Sequence, residues 1–304
     1  MITVTGEALI DIIVDPAGNV TSVVGGAPLN TARTIARLGI PVDFLGGVST
    51  DAFGGRIMRL LEDDGVGYAL GDRVEAPTTL AIAQIDAHGA ATYRFMMEGT
   101  SAAAVTPDLA LAHVGPQCPT LHVGTLALVL QPLADAVRSV VAASPDDRLV
   151  MVDPNCRPSV MTSSDVFDRT LAAVLERADV VKVSGDDLAF MFPDLAPAAA
   201  AQRLQRSSGA LVLFTDGPNS VHVISGDEDV ILEVPRVTVV DTVGAGDSFS
   251  GGFLAQWAMR GLGREDLGNL DEVLSAARFG ISVAGITCQR AGADPPHIQE
   301  IEVG

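Results

Sequence analysis

Lysine is almost missing from this chain. Of 304 residues one is lysine, Lys182, and the other 18 basic residues are arginines. The phosphate-binding pattern G-x-x-x-x-G-K-[ST] is therefore excluded, because the sole lysine lies in "DVVKVSGDD". Positive charge is scarce altogether. Against 38 acidic side chains there are 19 basic ones, a formal net charge of −19, and this disfavours partners such as nucleic acid and anionic membranes, which need basic patches. It says little about small anions, which a few local donors can hold. Cysteine is sparse too: Cys118, Cys156 and Cys288 lie far apart with no C-x-x-C, which reads as reduced, buried thiols rather than a disulfide framework. The histidines, at 88, 113, 122, 222 and 297, form no metal-ligand spacing. No apolar run reaches the roughly 20 residues of a membrane span, and no basic stretch opens the chain, Arg33 being its first basic residue. The expectation is a cytoplasmic protein with neither nucleic-acid nor membrane partners.

What the chain does have is apolar mass and rhythm. Hydrophobic residues make up 48%, enough for a large core, and the length suits one α/β domain. The middle alternates Val/Leu-rich strands with amphipathic helices: "TLHVGTL" then "QPLADAVRSVVAA", "RLVMVDP" then "VFDRTLAAVLERA", "DVVKVS" then a helix near 186–192, and finally "ALVLFTD". Continuous apolar strands with helical crossovers predict a parallel sheet covered on both faces. Ligands sit beyond the carboxyl ends of such strands, which draws attention to Asp153, Asn155, Lys182, Ser184 and Thr215 to Gly217. The N-terminal third departs from the rhythm. "ALIDIIVDPAGNVTSV" and "TLAIAQIDAHGAATYRFMM" each read as a hairpin, with turns at 16–19 and 86–89, and together suggest a small separate sheet over one edge.

Two glycine-bearing stretches carry the chemistry. In "DTVGAGDSFSGG" (241–252), Gly244 and Gly246 precede a run with Phe249, Phe253, Leu254 and Trp257 at helical spacing. A tight turn would then present backbone N–H groups at the mouth of a buried helix, where unpaired donors and the dipole suit phosphate. Asp247 in that position has two readings: a helix cap, or a general base beside an anion hole. In "GGAPLNTARTIARLG" (25–39), two glycines precede a helix that opens at a polar residue, so Asn30 is either an N-cap or an amide that grips sugar hydroxyls.

Together the two stretches resemble the signatures of the ribokinase family, the PfkB carbohydrate kinases. The first signature is matched by Gly25, Gly26, Asn30, Ala32 and Ala36 to Gly39, the second by Asp241 to Phe249 throughout. "GVSTDAFGG" (47–55) is similar to the family's G-x-D-x-F-G element, and the resemblance spans essentially the whole chain. It implies a ribokinase-like α/β fold: one domain over residues 1–304, a central, mostly parallel sheet flanked by helices, and a small β-sheet lid from about 10–25 and 78–98. It implies transfer of the ATP γ-phosphoryl group to a sugar hydroxyl, with Mg²⁺ and, in many members, a monovalent cation such as K⁺. Carried over by position, Asp247 is the catalytic base, and the N–H groups of Gly244, Ala245 and Gly246 form the anion hole. Asp11, Gly25, Gly26, Asn30, Phe95, Met97 and Arg157 face the sugar. Asn155, Lys182, Ser184, Thr215 and Gly217 follow the nucleotide. Asp187 meets Mg²⁺ through water, and Asp241 is a ligand of the monovalent cation. The chain departs from the family pattern where Ser220 replaces the last glycine of T-x-G-x-x-G, and where Ser184 and Asp187 stand for Asn and Glu in K-x-N-x-x-E.

"DPNCRP" (153–158) is similar to an element of the fructokinase and 2-keto-3-deoxygluconate kinase branch. The acid-sugar kinases often carry Tyr-Arg where this chain has Met96 and Met97, so the expectation is a fructokinase making fructose 6-phosphate. The alternatives are 2-keto-3-deoxygluconate kinase, another PfkB sugar or nucleoside kinase, and a non-catalytic sugar- or nucleotide-binding protein. Exposed strand edges in the lid suggest a homodimer paired through it.

Overall fold

Strand and helix assignments follow from which faces are apolar. In the computed structural model, which describes residues 1–86, 91–115, 117–162 and 164–301, the first third contains strands β1 (Ile2–Thr5), β2 (Leu9–Val14) and β3 (Val20–Gly25), helix α1 (Ala27–Arg37), β4 (Val42–Leu45), α2 (Ala52–Asp64) and β5 (Gly67–Tyr68). It continues with β6 (Leu80–Ile85), β7 (Ala91–Met96), α3 (Pro107–His113), β8 (Thr120–Gly124), α4 (Leu133–Ala142), β9 (Leu149–Asp153), α5 (Pro158–Met161) and α6 (Asp165–Leu175). The last third holds β10 (Val180–Ser184), α7 (Gly185–Met191), α8 (Pro197–Ser208), β11 (Leu211–Asp216), β12 (Ser220–Ser225), β13 (Glu228–Glu233), α9 (Ala245–Met259) and α10 (Leu270–Thr287). The expected second hairpin turn falls largely on residues outside those described.

Nine strands form one sheet in the order β13-β12-β11-β10-β9-β8-β1-β4-β5. All neighbours from β11 to β5 pair in parallel, while β12 and β13 add an antiparallel edge. The two faces alternate along each strand. Val150, Val152, Val181 and Val183 pack toward α4 and α6, and Leu149, Met151, Val180 and Leu213 pack toward α1, α9 and α10. Both faces are buried, which is why the strands read as unbroken apolar runs. The chain runs from β1 to β4 in one direction and from β8 to β11 in the other. The strand order therefore reverses between β1 and β8, the place where such sheets open a ligand crevice at the strands' carboxyl ends.

The smaller sheet has the order β3-β2-β6-β7, with β2 and β6 parallel and the outer pairs antiparallel. Register puts Val23, Asp11, Ala81 and Phe95 in one row across it. Helix α2 fastens both halves of this sheet. Asp51 caps the helix at Gly54 N (2.8 Å) and also accepts from Thr78 N (2.9 Å) and Oγ1 (2.7 Å), while Arg56 donates to Ser22 Oγ (2.7 Å) and O (2.8 Å).

Candidate active site

Helix α9 is apolar all round, with Phe249, Phe253, Leu254 and Trp257 buried, so its N-terminus is held inside the molecule between α1 and α10. Gly244 caps it with φ +77°, the left-handed region that glycine enters without penalty. Asp247 sits in the first turn, buried, and its side chain caps nothing. It accepts instead from Asn30 Nδ2 at 2.9 Å. That contact removes the capping reading of this carboxylate, since a cap would bond its own helix. Burial raises the Asp247 carboxyl above the usual range, partly offset by the Asn30 N–H and by the charges of Lys182 and Arg157. The N–H of Ala245 donates back to Thr242 O at 3.2 Å. Among the described residues those of Gly244, Gly246 and Asp247 have no assigned acceptor and remain available to an anion.

Asn30 does not open its helix. Helix α1 begins at Ala27, behind Gly26 and with Pro28 in the first turn, which the N-cap reading of Asn30 had missed. Its Oδ1 is buried and lacks a donor, an acceptor that a sugar hydroxyl would satisfy. Gly25 makes room for the neighbouring carboxylate: a Cβ there would lie 2.1 Å from Asp11 Oδ2. Burial lifts the Asp11 carboxyl to about 6, against the pull of Arg157.

A single cleft of about 1800 Å³ runs from beneath the small sheet to the mouth of α9 and on past β11. Asp11, Gly25, Gly26, Asn30, Phe95 and Arg157 line it. So do Asn155, Lys182, Ser184, Asp187, Thr215, Gly217 and Asp241, together with Gly244, Ala245, Gly246 and Asp247. Met97 is the one anticipated residue outside the lining. The strand ends at Met96, and Met97 packs beside Ala102, Ala103 and Leu130 and against Leu9 and Leu126, which belong to the lining. Arg157 turns its guanidinium onto Asn155, reaching Oδ1 at 2.5 Å and O at 3.1 Å. Asp187 is not a solvated residue. Its Oδ2 accepts from Ser184 N (2.7 Å) and Oγ (2.6 Å) in a capping box, and its Oδ1 from Cys156 N (2.6 Å). Asp241 ties two loops together through Val243 N (3.1 Å) and Gly292 N (2.8 Å). Among the described residues no group of three or more His, Cys, Asp or Glu side chains could cage a metal, so a divalent ion would lean on water and phosphate oxygens.

Sequence reasoning missed Glu7. It lies just after β1, at the point where strand order reverses, and is 1% exposed. Burial pushes its carboxyl up to about 8, although Arg157 and the N–H of Leu126, donating to Oε2 at 3.1 Å, work the other way. Like the middle strands, β1 ends at this crevice, and Glu7 lies just past its carboxyl end. The pair Arg33 and Asp64 was missed as well. Arg33 Nε meets Asp64 Oδ2 at 2.6 Å while its Nη1 donates to Ala293 O at 2.8 Å, against which Gly244 packs.

The model of the pfkB family of carbohydrate kinases matches residues 1–300. The chain belongs to this family. Fructokinase of Rhizobium leguminosarum bv. trifolii is 32% identical over 281 residues, 90% of this chain and 84% of that protein. Fructokinase-1 of Oryza sativa subsp. japonica is 29% identical over 98% of this chain and 94% of its own length. A solved structure of fructokinase from Xylella fastidiosa with bound ATP superposes with a TM-score of 0.86 at 26% identity, covering 96% of this chain and 93% of that one. The Vibrio cholerae O395 fructokinase with fructose, ADP and calcium ion bound gives 0.81 at 26% identity, with 96% and 94% covered. The fold is ribokinase-like, as the motifs implied, with the large mixed sheet and the smaller four-stranded one. No helix among the described residues is long and apolar enough to cross a membrane.

Proposed function

We propose that the protein transfers the γ-phosphoryl group of ATP to a hydroxyl of D-fructose, yielding fructose 6-phosphate and ADP. The observation that carries this reading is Asp247: buried at the mouth of α9, gripped by Asn30, and bonded to no group of its own helix. The sugar hydroxyl gives its proton to Asp247, and its oxygen bonds to phosphorus as the bond to the ADP oxygen breaks. Unpaired N–H groups at the helix mouth take up charge on the migrating group. Phosphoryl transfer asks for little covalent help, so positioning and charge stabilisation supply most of the rate. Asn30, Asp11, Gly25, Gly26, Phe95 and Arg157 hold the sugar. Met97 supports that end from outside the cleft. Asn155, Lys182, Ser184, Thr215 and Gly217 follow the nucleotide. Mg²⁺ would arrive with ATP, reach Asp187 through water, and neutralise phosphate charge. A monovalent cation such as K⁺ would be held at the loop of Asp241, whose carboxyl, although burial works against it, is kept below the usual range by the N–H groups of Val243 and Gly292.

Two carboxyls, Asp11 and Asp247, face the sugar against one guanidinium, and that guanidinium is engaged by Asn155. This balance disfavours an acid sugar such as 2-keto-3-deoxygluconate and suits a neutral one. The four-stranded sheet acts as a lid that keeps water from competing with the sugar. Val20, Val23, Tyr93 and Met96 remain exposed on it and suit pairing in a homodimer of a single-domain, cytoplasmic enzyme. A coupled ADP-release assay over fructose, ribose and 2-keto-3-deoxygluconate tests the reading. Fructose should give the highest kcat/KM; a preference for the keto acid, or no turnover with any sugar, would overturn it.

A further inference from the structure

The single lysine of the chain is spent in the interior. Lys182 lies on β10, is 4% exposed, and places Nζ 3.0 Å from Asp153 Oδ2. A Cβ added at Gly246 would stand 2.8 Å from Nζ, so the ammonium packs directly beneath the turn that opens α9. Charged and titratable groups face it from every side: Asp153 from β9, Asp187 from α7, Asp247 from α9, and His122 from β8. Burial works against the ammonium charge, but these carboxylates outweigh it and hold the lysine above its ordinary range. His122 is kept neutral, pushed down to about 3 by burial and by Lys182 itself. An ammonium has three donors, and among the described residues its one assigned acceptor is Asp153. The remaining donors open on the cleft that Lys182 lines.

Elsewhere this chain uses arginine even in its core, as at Arg148, which is 2% exposed and bonds the carbonyls of Cys118 (2.8 Å) and Gly115 (2.6 Å). A planar fork with five donors is larger than an ammonium and would have to fit beneath the same turn, where a Cβ at Gly246 would already lie 2.8 Å from Nζ. A compact point charge fits.

We propose that Lys182 is the fixed counter-charge of the phosphoryl-transfer step: pinned by Asp153 beneath the Gly244–Gly246 turn, its ammonium stands against both Asp247 and the group transferred at the helix mouth. This rests on the phosphoryl-transfer reading above, and it changes the part that Lys182 plays in it. The lysine serves the chemistry rather than the grip on nucleotide. It also helps Asp247 stay ionised, a task shared with Arg157, whose charge acts on the same carboxyl.

The test compares wild type, Lys182→Met, Lys182→Arg and the double variant Lys182→Met/Asp153→Leu. The double variant removes the pair without stranding a buried charge, an exchange that proteins often tolerate. Each protein is measured for Tm, ADP affinity by calorimetry, and kcat with the preferred sugar from pH 5 to 9. Lys182→Met and the double variant should lose roughly 10²- to 10³-fold in kcat, the size of a lost preorganised charge contact. ADP affinity should stay within about threefold. The acid limb of the Lys182→Met profile should move to higher pH, because Asp247 has lost a cation that favours its charged form; the double variant also loses the Asp153 carboxylate, so its readout is kcat. Lys182→Arg should keep the limb in place and lose turnover. A folded double variant with kcat near wild type, or a Lys182→Met protein with an unmoved acid limb, refutes the proposal. A wild type that phosphorylates no sugar refutes the functional reading instead, before any variant is made.

Discussion

Replacing Gly244 by alanine attacks the turn at the mouth of α9 in two separable ways. The residue sits at φ +77°, and an added Cβ would come 2.6 Å from Ala293 Cβ and 3.0 Å from its Cα. Left-handed backbone costs a non-glycine residue roughly 1–2 kcal/mol, and overpacking a tight site adds about 1–3 kcal/mol. Ala293 cannot retreat easily, since its carbonyl is held by Arg33 at 2.8 Å. The turn must therefore move, and the N–H groups move with it. If about 2–4 kcal/mol of this strain falls on the transition state, kcat drops roughly 30- to 1000-fold. Gly261→Ala provides the control. That glycine has φ +67° with nothing within 4 Å of the added Cβ, so it isolates the backbone cost from the clash. Steady-state kcat at saturating sugar and ATP, with Tm alongside, is the assay. Gly261→Ala should lower Tm slightly and leave kcat alone, while Gly244→Ala should lose turnover well beyond any loss of stability. Equal, small effects at both positions would refute the claim that this turn is packed for catalysis.

Other perturbations follow from buried charges. Asp64 is 4% exposed and serves Arg33 and Arg37 at 2.6 Å each; Asp64→Asn should destabilise by about 3–5 kcal/mol through stranded guanidinium charge, read as a Tm lower by on the order of 10 °C. His122 is buried with neither ring nitrogen bonded and its pKa is pushed from 6.5 to about 3. Below pH 6.5 the unfolded chain binds a proton that the fold refuses, so stability falls by about 1.4 kcal/mol per pH unit toward acid. His122→Leu should flatten Tm against pH in that window; an unchanged slope would show the histidine charging inside the fold. Asp11 titrates at about 6, and as an ionised hydroxyl acceptor it should let the sugar KM rise below that pH, with Asp11→Asn removing the dependence.

Much of the fold was legible because both faces of the sheet are buried. Strands such as "RLVMVDP" read as continuous apolar runs, and the helices between them carry period and caps. The site was legible where backbone demands fix residue type, at Gly25, Gly244 and Gly246. Other contacts were not, since their partners are distant in sequence. Nothing local says that Asn30 meets Asp247, 217 positions away, or that Arg33 reaches Ala293, 260 positions away. The first arises from the packing of α1 against α9, the second from the segment after α10 folding back onto α1. Met97 shows the opposite case. Alternation from Tyr93 and Phe95 puts it on the cleft face, but the strand stops one residue short, and Met97 packs behind the lining residues Leu9 and Leu126. Glu7 was overlooked because a lone carboxylate after a strand carries no pattern, and its importance comes from burial at the reversal of strand order.

The most direct measurement is turnover by Asp247→Asn, made together with ADP affinity by calorimetry on the same preparation. An amide keeps the shape of the side chain but cannot accept the hydroxyl proton. The account predicts ADP binding close to wild type and kcat lower by roughly two to four orders of magnitude, the size of a lost general base. A folded Asp247→Asn protein that turns over at nearly the wild-type rate would contradict it.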